Sequence, residues 1–199
     1  MAALKLALNM DVDIISMSLG GTKRLEKFQD IINELTQANK TVICAAGNSG
    51  DGGVSYPAKY KNAIAISAHD EQTNIAYFSS KGEEVDFAGP GVKITSTYLN
   101  QSYAKLSGTS MACPFIVGLV ALMLSKHKKQ ELQGKANDCK TPEQIYNHLK
   151  RCAVDYGEMG KDSSYGYGLI DSKTLIEIKP DPKPDPKPDP KPEPEPDPK

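Results

Sequence analysis

The stretch of residues 106–124 is the strongest structural signal in the sequence. Behind Ser110, the residues are apolar on nearly every face for more than three helical turns. A helix that is apolar all round is typical of the core of a sizeable domain. We therefore predict a helix that begins near Ser110 and is buried on all sides.

Short apolar runs before this helix predict the strands of a sheet. They occupy residues 11–20, 41–46, 63–68 and 85–88, and such runs are typical of parallel strands buried on both faces. Between the first two runs, apolar residues recur every three or four positions, which predicts a helix that covers the sheet. These residues are Leu25, Phe28, Ile31, Ile32 and Leu35. The alternation of strand and helix predicts an α/β fold with a parallel sheet and right-handed crossovers.

Two further elements are predicted on either side of the core helix. Residues 93–105 alternate loosely between polar and apolar side chains, which predicts a hairpin. Thr141 is followed by Pro142 and, three positions on, by Gln144. This pattern is typical of a capped helix start, and we expect the helix to run to about Cys152.

The beginning of the chain resembles an interrupted element. Residues 2–8 carry alanine and leucine at the density of a helix, directly before the first predicted strand. A domain seldom opens with the last turns of a helix, so we expect further sequence upstream of Met1. Asp11 and Asp13 follow too soon for residues 1–8 to serve as a signal peptide.

The end of the chain is low in sequence complexity. Beyond Lys179, proline occupies every second position up to Pro198. Such a segment cannot bury a core, and we predict an extended polyproline II spacer of roughly 60 Å at about 3 Å per residue. We therefore divide the chain into a partial folded domain, residues 1–178, and a disordered tail or linker, residues 179–199. The tail either has no role or tethers the domain.

Charge and cysteine content narrow the classes of function. The 199 residues carry a net charge of -1, which gives no electrostatic basis for binding nucleic acid or an anionic membrane. No apolar run approaches the length of a membrane-spanning helix, so we expect no membrane insertion. The four cysteines form no C-x-x-C pair, so the sequence suggests neither a zinc site nor a redox motif, and we expect reduced thiols.

The first turn of the predicted core helix carries two hydroxyl side chains. Thr109 and Ser110 follow Gly108, at the point where a helix still has unpaired backbone N–H groups. In one interpretation, a hydroxyl only caps the helix. In the other, Ser110 is a nucleophile at the positive end of the helix, where a developing anion is favoured. Position alone does not decide between the two.

The order of residues favours the nucleophile. Residues 108–112 are Gly-Thr-Ser-Met-Ala and residue 114 is proline, and this string resembles the serine motif of the subtilisin-like serine proteases, the subtilases. The resemblance covers about residues 3–170. It implies a partial subtilisin-like fold, the C-terminal half of the catalytic domain. It also implies a serine endopeptidase that hydrolyses peptide bonds through an acyl-enzyme on Ser110.

The resemblance also implies a substrate cleft for a peptide or protein. Asn48 matches the asparagine that stabilises the oxyanion, although Gly-Asn after a strand is by itself typical of a turn. The family segment that pairs with the substrate backbone corresponds to Ser18, Leu19 and Gly20. The primary specificity pocket corresponds to Ala45, Ala46, Gly47 and Ser55. Because many relatives carry glycine in place of Ser55, a narrower pocket is implied, and the bond between Tyr56 and Pro57 matches a cis peptide of the family.

No cofactor is required by this chemistry, but the resemblance implies a weak cation site. Glu84 and Asp86, with the carbonyl groups of Ala58, Tyr60 and Ala63, match a site for calcium or a monovalent ion such as sodium in several relatives. Two acidic residues that flank a single apolar residue are also typical of a solvated strand edge. Both interpretations stay open.

Two members of the catalytic triad have no counterpart in the sequence. Subtilases carry the base in a His-Gly-Thr-His type motif and the aspartate in Asp-Ser-Gly or Asp-Thr-Gly, and this sequence has neither. His127 lies more than four turns from Ser110, about 25 Å at 1.5 Å per residue, so it cannot be the base. His69 and His148 match no catalytic position, and we expect solvated surface residues. Without a base, only a small residual activity is expected.

Three hypotheses follow from the sequence. The first is a serine endopeptidase whose missing N-terminal half supplies the base. The second is an inactive, peptide-binding pseudoprotease, and the third is a truncated remnant. The compartment stays open, because the cysteines and the likeness of residues 13–20 to intracellular subtilisins favour the cytoplasm. The proline-rich tail instead resembles the wall-spanning spacers of secreted or cell-surface proteins.

Overall fold

The computed structural model describes residues 1–176. The helices are α1 (Ala2–Asn9), α2 (Glu26–Gln37), α3 (Thr109–Leu132), α4 (Pro142–Cys152) and α5 (Ser172–Ile176), with a 3-10 turn at Gly50–Gly52. The strands are β1 (Ile14–Met17), β2 (Thr41–Ala45), β3 (Ala63–His69), β4 (Val85–Pro90), β5 (Ile94–Tyr98), β6 (Ser102–Leu106), β7 (Ala153–Val154) and β8 (Leu169–Ile170). The predicted tail, residues 179–199, lies outside the described residues, so the division of the chain at residue 178 stays a prediction.

Six of these strands form one sheet, in the order β1-β2-β3-β4-β8-β7. Each strand from β1 through β4 to β8 is parallel to the next one in this order, and β7 is antiparallel to β8. Strands β5 and β6 form a separate hairpin. In α4, the side chain of Thr141 accepts a hydrogen bond from the N–H of Gln144, as the capping pattern predicts. The predicted α/β fold with a mainly parallel sheet is confirmed.

The sheet separates two apolar layers because neighbouring side chains of a strand point to opposite faces. Ile43 of β2 packs in a cluster with Ile116 of α3. The neighbouring Val42 belongs to a second cluster, with Ile31 and Leu35 of α2. The sheet therefore carries α3 on one face and α1 and α2 on the other, and α3 runs along β1 to β4.

Helix α3 is less buried than the sequence predicts. One face, including Ala112, Ile116 and Val120, is buried against the sheet. The opposite face exposes apolar or small residues at helical spacing, which we call the exposed stripe: Pro114, Phe115, Gly118, Ala121 and Leu122. The prediction of burial on all sides is wrong, because residues 1–176 supply a covering layer for one face only.

The length of α3 corrects a second expectation. The helix has 24 residues, and by length and composition alone it could cross a membrane. The expectation that no apolar run approaches this length is therefore wrong. In the described fold, however, α3 packs on a sheet, which is the ordinary position of a long core helix.

Two of the three histidines are core residues. His127 is 1% exposed and His148 is 4% exposed, and their ring centroids lie 5.4 Å apart. The expectation that His148 is a solvated surface residue is wrong, because its Nε2 lies 3.3 Å from the carbonyl oxygen of Leu175 on α5. Burial and, after it, the nearby His148 lower the pKa of His127. His69 is half-buried at the end of β3.

Candidate active site

The loop after β2 meets the first turn of α3 at Thr109. The N–H of Thr109 donates to Oδ1 of Asn48 at 2.9 Å, and the Thr109 hydroxyl donates to the same oxygen at 3.0 Å. That hydroxyl also accepts from the N–H of Gly47 at 3.1 Å. Since Thr109 is only 1% exposed, water competes little for these bonds. The three bonds therefore hold Asn48 beside Ser110.

These bonds also set the orientation of the Asn48 amide. Because its Oδ1 accepts both bonds from Thr109, its Nδ2 is the group that remains to donate. Nδ2 borders the backbone just before Ser110, since a Cβ added at Gly108 would lie 3.4 Å from it. The loop therefore presents an amide donor next to the backbone of the predicted nucleophile.

Ser110 lies where the start of α3 meets the end of β1. Its hydroxyl donates to the carbonyl oxygen of Ser18 at 3.4 Å, and the Ser18 hydroxyl donates to the carbonyl oxygen of Ser110 at 3.0 Å. A backbone carbonyl is not a base that can take up a proton, so this contact does not activate the serine. Within residues 1–176, no side chain caps α3, and the interpretation of Ser110 as a simple cap has no support.

The predicted pocket residues converge on Ser55. The Ser55 N–H donates to the carbonyl oxygen of the buried Ala46 at 2.8 Å. A Cβ added at Gly20 would lie 3.0 Å from the Ser55 Cβ, and one added at Gly47 would collide with the Ser55 hydroxyl. Gly47 also has a φ of 113°, a conformation that favours glycine. The structure thus places Gly20 and Gly47 against Ser55, whereas Leu19 is exposed.

Two residues outside the predicted set support the loop that carries Asn48. Thr109 does so through the bonds described above, although the sequence suggested only a capping role for it. The fully buried Ser80 accepts from the N–H of Ser49 at 3.1 Å, and its own N–H donates to the carbonyl oxygen of Gly47 at 2.9 Å. The motif around Ser110 already contained Thr109, but nothing in the local sequence singles out Ser80. The cis peptide predicted between Tyr56 and Pro57 is confirmed.

The predicted cation ligands line one cavity of about 730 Å³, but lysine side chains already bind both carboxylates. Lys59 Nζ lies 3.2 Å from Glu84, and Lys161 Nζ lies 3.3 Å from Asp86. Asp86 also accepts from the N–H of Ala65 at 2.9 Å and from the hydroxyl of Tyr146 at 2.8 Å. A bound cation would have to compete with these donors, so the predicted site stays a prediction with little geometric support.

The electrostatics of Asp86 agree with this arrangement. Burial raises the pKa of Asp86, and the donors from Ala65, Lys161 and Tyr146 only partly oppose that effect. Burial and the nearby Asp86 carboxylate in turn raise the pKa of Tyr146. The carboxylate therefore belongs to an internal hydrogen-bond network rather than to a solvated strand edge.

Comparisons with known proteins identify related sequences over most of the chain. The model of the Subtilase family matches residues 1–168. Minor extracellular protease Epr of Bacillus subtilis (strain 168) is 39% identical over 163 residues, which are 81% of this chain and 24% of that protein. Subtilisin Savinase of Lederbergia lenta is 37% identical over 165 residues, which are 83% of this chain and 56% of that protein. The chain thus spans between about a quarter and somewhat over half of these relatives.

A solved structure supports the fold. The crystal structure of a lanthipeptide protease superimposes with a TM-score of 0.77 and covers 88% of this chain and 64% of its own. The sequence identity is 23%, so this likeness concerns the fold alone. The subtilisin-like arrangement of the parallel sheet and α3 is therefore confirmed.

Proposed function

Because the chain belongs to the subtilase family, we propose that it is the part of a serine endopeptidase that carries the nucleophile and the oxyanion donor. The observation that carries this proposal is the attachment of Asn48 to Thr109, the residue directly before Ser110. The fold alone would not require an amide donor at this place. The arrangement supports acyl transfer, which needs a nucleophile and a donor for the oxyanion on one site.

In the proposed reaction, the hydroxyl oxygen of Ser110 attacks the carbonyl carbon of a peptide bond, and its proton passes to a base. The tetrahedral intermediate carries a negative oxygen, which accepts hydrogen bonds from Nδ2 of Asn48 and from the backbone N–H of Ser110. The base then returns the proton to the leaving amine, and an acyl-enzyme forms on Ser110. Water hydrolyses this ester in the same two steps. Side chains and backbone carry all of the steps, so the proposed chemistry uses no cofactor.

Substrate binding is proposed to use the strand end and the glycine-lined pocket. An extended peptide would pair with the backbone of residues 18–20, which follow β1, and main-chain pairing accepts many sequences. The side chain before the scissile bond would enter between Gly20 and Gly47, with Ser55 at the base of the pocket. Because Ser55 lies against both glycines, we propose a preference for small side chains at this position.

The base and the aspartate that orients it are proposed to come from a segment outside these 199 residues. Two features of the structure support a docking position next to Ser110. Strand β1 is the outermost strand of the sheet and, within residues 1–176, pairs with β2 only. The exposed stripe of α3 begins at Pro114, about one helical turn from Ser110, and Phe115 and Leu122 are 47% and 57% exposed.

Reconstitution tests this proposal. The full chain is mixed with a separate polypeptide that carries the aspartate and histidine motifs of Subtilisin Savinase, and hydrolysis of a chromogenic peptide is measured. We expect each polypeptide alone to be inactive and the mixture to hydrolyse the peptide. A Ser110→Ala variant of the chain should bind the partner and abolish hydrolysis.

The rival hypotheses give different results in the same experiment. A stable complex without hydrolysis would overturn the endopeptidase proposal and favour the peptide-binding pseudoprotease. That function is favoured by one observation, the bond from the Ser110 hydroxyl to a carbonyl oxygen instead of to a base. A chain without a cooperative thermal transition would instead be a truncated remnant.

A further inference from the structure

A cluster of three buried side chains lies at the other end of α3, far from Ser110. His127 belongs to the last turns of α3, Cys139 to the connection between α3 and α4, and His148 to α4. Each of the three is at most 4% exposed. One ligand atom from each lies within 4.8 Å of the ligand atoms of the other two. Three elements of the fold therefore bring two imidazoles and one thiol together inside the protein.

The contacts of His127 leave one of its polar atoms unsatisfied. Its Nε2 lies 3.5 Å from Sγ of Cys139. Its Nδ1 is buried and has no hydrogen-bond partner among residues 1–176. A buried polar atom without a partner is costly, and each such atom in a native fold calls for an explanation, of which a nearby ion is one. Packing alone therefore does not explain why this nitrogen is buried without a partner.

The contacts of His148 resemble those of a histidine prepared for a metal. Nη2 of Arg151 lies 3.2 Å from Nδ1 of His148 and can only donate, so Nδ1 accepts and Nε2 carries the proton. That Nε2 lies 3.3 Å from the carbonyl oxygen of Leu175, to which it donates. A metal-binding histidine commonly donates its other N–H to a backbone carbonyl in this way. Metal binding at Nδ1 would require the guanidinium of Arg151, an exposed residue, to give up this contact.

We propose that His127, Cys139 and His148 bind one Zn²⁺ ion. Thiolate and imidazole are the ligands that Zn²⁺ prefers, and three protein ligands with a fourth from water or a carboxylate complete a tetrahedral site. At bond lengths of about 2.0 Å for nitrogen and 2.3 Å for sulfur, tetrahedral ligand atoms lie roughly 3.3 Å (two nitrogens) to 3.5 Å (nitrogen and sulfur) apart. Closing the cluster on the ion therefore needs shifts of roughly 1 Å. On binding, the Cys139 thiol releases its proton to solvent.

The fourth ligand is proposed to be water. The half-buried Asp138, which precedes Cys139, does not belong to the group of ligand atoms that lie within 4.8 Å of one another. The ion would join the end of α3 to α4 through the connecting segment, residues 133–141. Because His127 lies about 25 Å along the helix from Ser110 at 1.5 Å per residue, the role is structural and separate from the proposed reaction.

Metal binding by the full chain tests the proposal. The purified chain is stripped with a chelator and titrated with Co²⁺, which reports thiolate binding through a charge-transfer band, and then with Zn²⁺. We expect one ion per chain by mass spectrometry of the native protein, displacement of Co²⁺ by Zn²⁺, and a rise in thermal stability with added Zn²⁺. Cys139→Ser should abolish the charge-transfer band and weaken Zn²⁺ binding by about tenfold or more.

Matched controls assign the effect to the cluster. Cys152→Ser removes another buried cysteine, on α4 but outside the group of three, and should leave the band and the affinity unchanged. His148→Gln should weaken binding, whereas His69→Gln should not. If Cys139→Ser fails to fold, nitrogen chemical shifts of the histidines in the unsubstituted chain replace it, and Zn²⁺ should shift His127 and His148 but not His69. Absence of stoichiometric binding, or a band that persists in folded Cys139→Ser, would overturn the proposal.

Discussion

The two sides of Ser110 differ in how completely the chain builds them. On one side, Thr109 joins Asn48 and Gly47 through three hydrogen bonds of 2.9 to 3.1 Å, inside the protein. On the other side, the Ser110 hydroxyl reaches only a carbonyl oxygen at 3.4 Å, and the exposed stripe of α3 follows. We call these the oxyanion side and the base side.

This difference shows which functions local contacts can organise. The oxyanion side needs only a loop, a helix start and one buried threonine, all of which residues 1–176 supply. The base side needs a proton acceptor and a layer over α3, and the described residues supply neither. Substitutions on the two sides should therefore have different consequences, which can be measured in the reconstituted mixture described above.

The largest expected effect comes from removing the oxyanion donor. In the reconstituted mixture, Asn48→Ala should lower kcat by about a hundred- to a thousandfold, a figure taken over from the corresponding asparagine of subtilisin. The binding of the partner polypeptide should not change. Asn9→Ala is the control, since among residues 1–176 the Asn9 side chain donates only to the carbonyl oxygen of Lys5, on the exposed surface of α1. An unchanged kcat in Asn48→Ala would contradict the assignment of the oxyanion side.

On the base side, Leu122→Glu should prevent assembly. A carboxylate in the exposed stripe would be buried without a partner under the proposed second segment, which we expect to weaken the complex by roughly a hundredfold. The free energy of unfolding of the chain alone should fall by about 0.5 kcal/mol or less, because Leu122 is exposed in it. Leu132→Glu, at the 89% exposed end of α3, is the control. Equal complex formation by both variants would show that the stripe is not the docking surface.

A smaller effect on kcat is expected from removing the Thr109 hydroxyl, which holds the oxyanion side together. Thr109→Val keeps the shape of the side chain but loses the hydroxyl that joins Asn48 to Gly47. We expect a fall in kcat of roughly tenfold, equivalent to one hydrogen bond of about 1.4 kcal/mol. Thr36→Val serves as the control, because its hydroxyl donates only within α2, to the carbonyl oxygen of Ile32. A loss in thermal stability with unchanged kcat would limit Thr109 to a structural role.

The smallest expected effect is a pH dependence of the folding stability, and it comes from Asp86, which lies outside both the oxyanion side and the base side. Burial raises the pKa of Asp86, so the folded chain holds this proton to a higher pH than the unfolded chain does. The resulting stabilisation is complete below the ordinary aspartate pKa and is lost as the pH rises through the raised value. Asp86→Asn does not titrate, so its free energy of unfolding relative to the unsubstituted chain should rise from acid to neutral pH.

Urea unfolding of both chains across this pH range measures the effect. Asp11→Asn, at an exposed position, controls for the loss of one negative charge. A relative stability of Asp86→Asn that falls with pH would contradict the sign. Asp86 contacts neither the oxyanion side nor the base side. Asn48→Ala should therefore lower kcat by the same factor whether residue 86 is aspartate or asparagine.

Regular patterns in the sequence predicted the sheet, α2, the hairpin and the capped start of α4, because each depends on a periodicity or on a local cap. The position of Asn48 beside Ser110 also followed, through the resemblance of two short motifs. The exposed stripe was not predicted, because the apolar sequence of a helix does not show which of its faces other residues cover. Lysine partners of Glu84 and Asp86 were missed as well, since Lys161 is 75 residues from Asp86.

The burial of His127 and His148 illustrates the same limit. Their contact with Cys139 joins positions with no fixed motif spacing, so only tertiary packing brings them together. The absence of a C-x-x-C pair therefore gave no indication of the zinc site that we propose from the folded chain. Site residues on one turn or one loop can be predicted from the sequence. A cluster whose members come from three separate elements can be recognised only in the folded structure.

The most direct test of the account is the labelling of Ser110 by a fluorophosphonate probe. We expect negligible labelling of the chain alone, and strong labelling when the polypeptide with the aspartate and histidine motifs is added. Labelling of the chain alone that disappears in Ser110→Ala would show that the base side is already complete, and it would contradict the account.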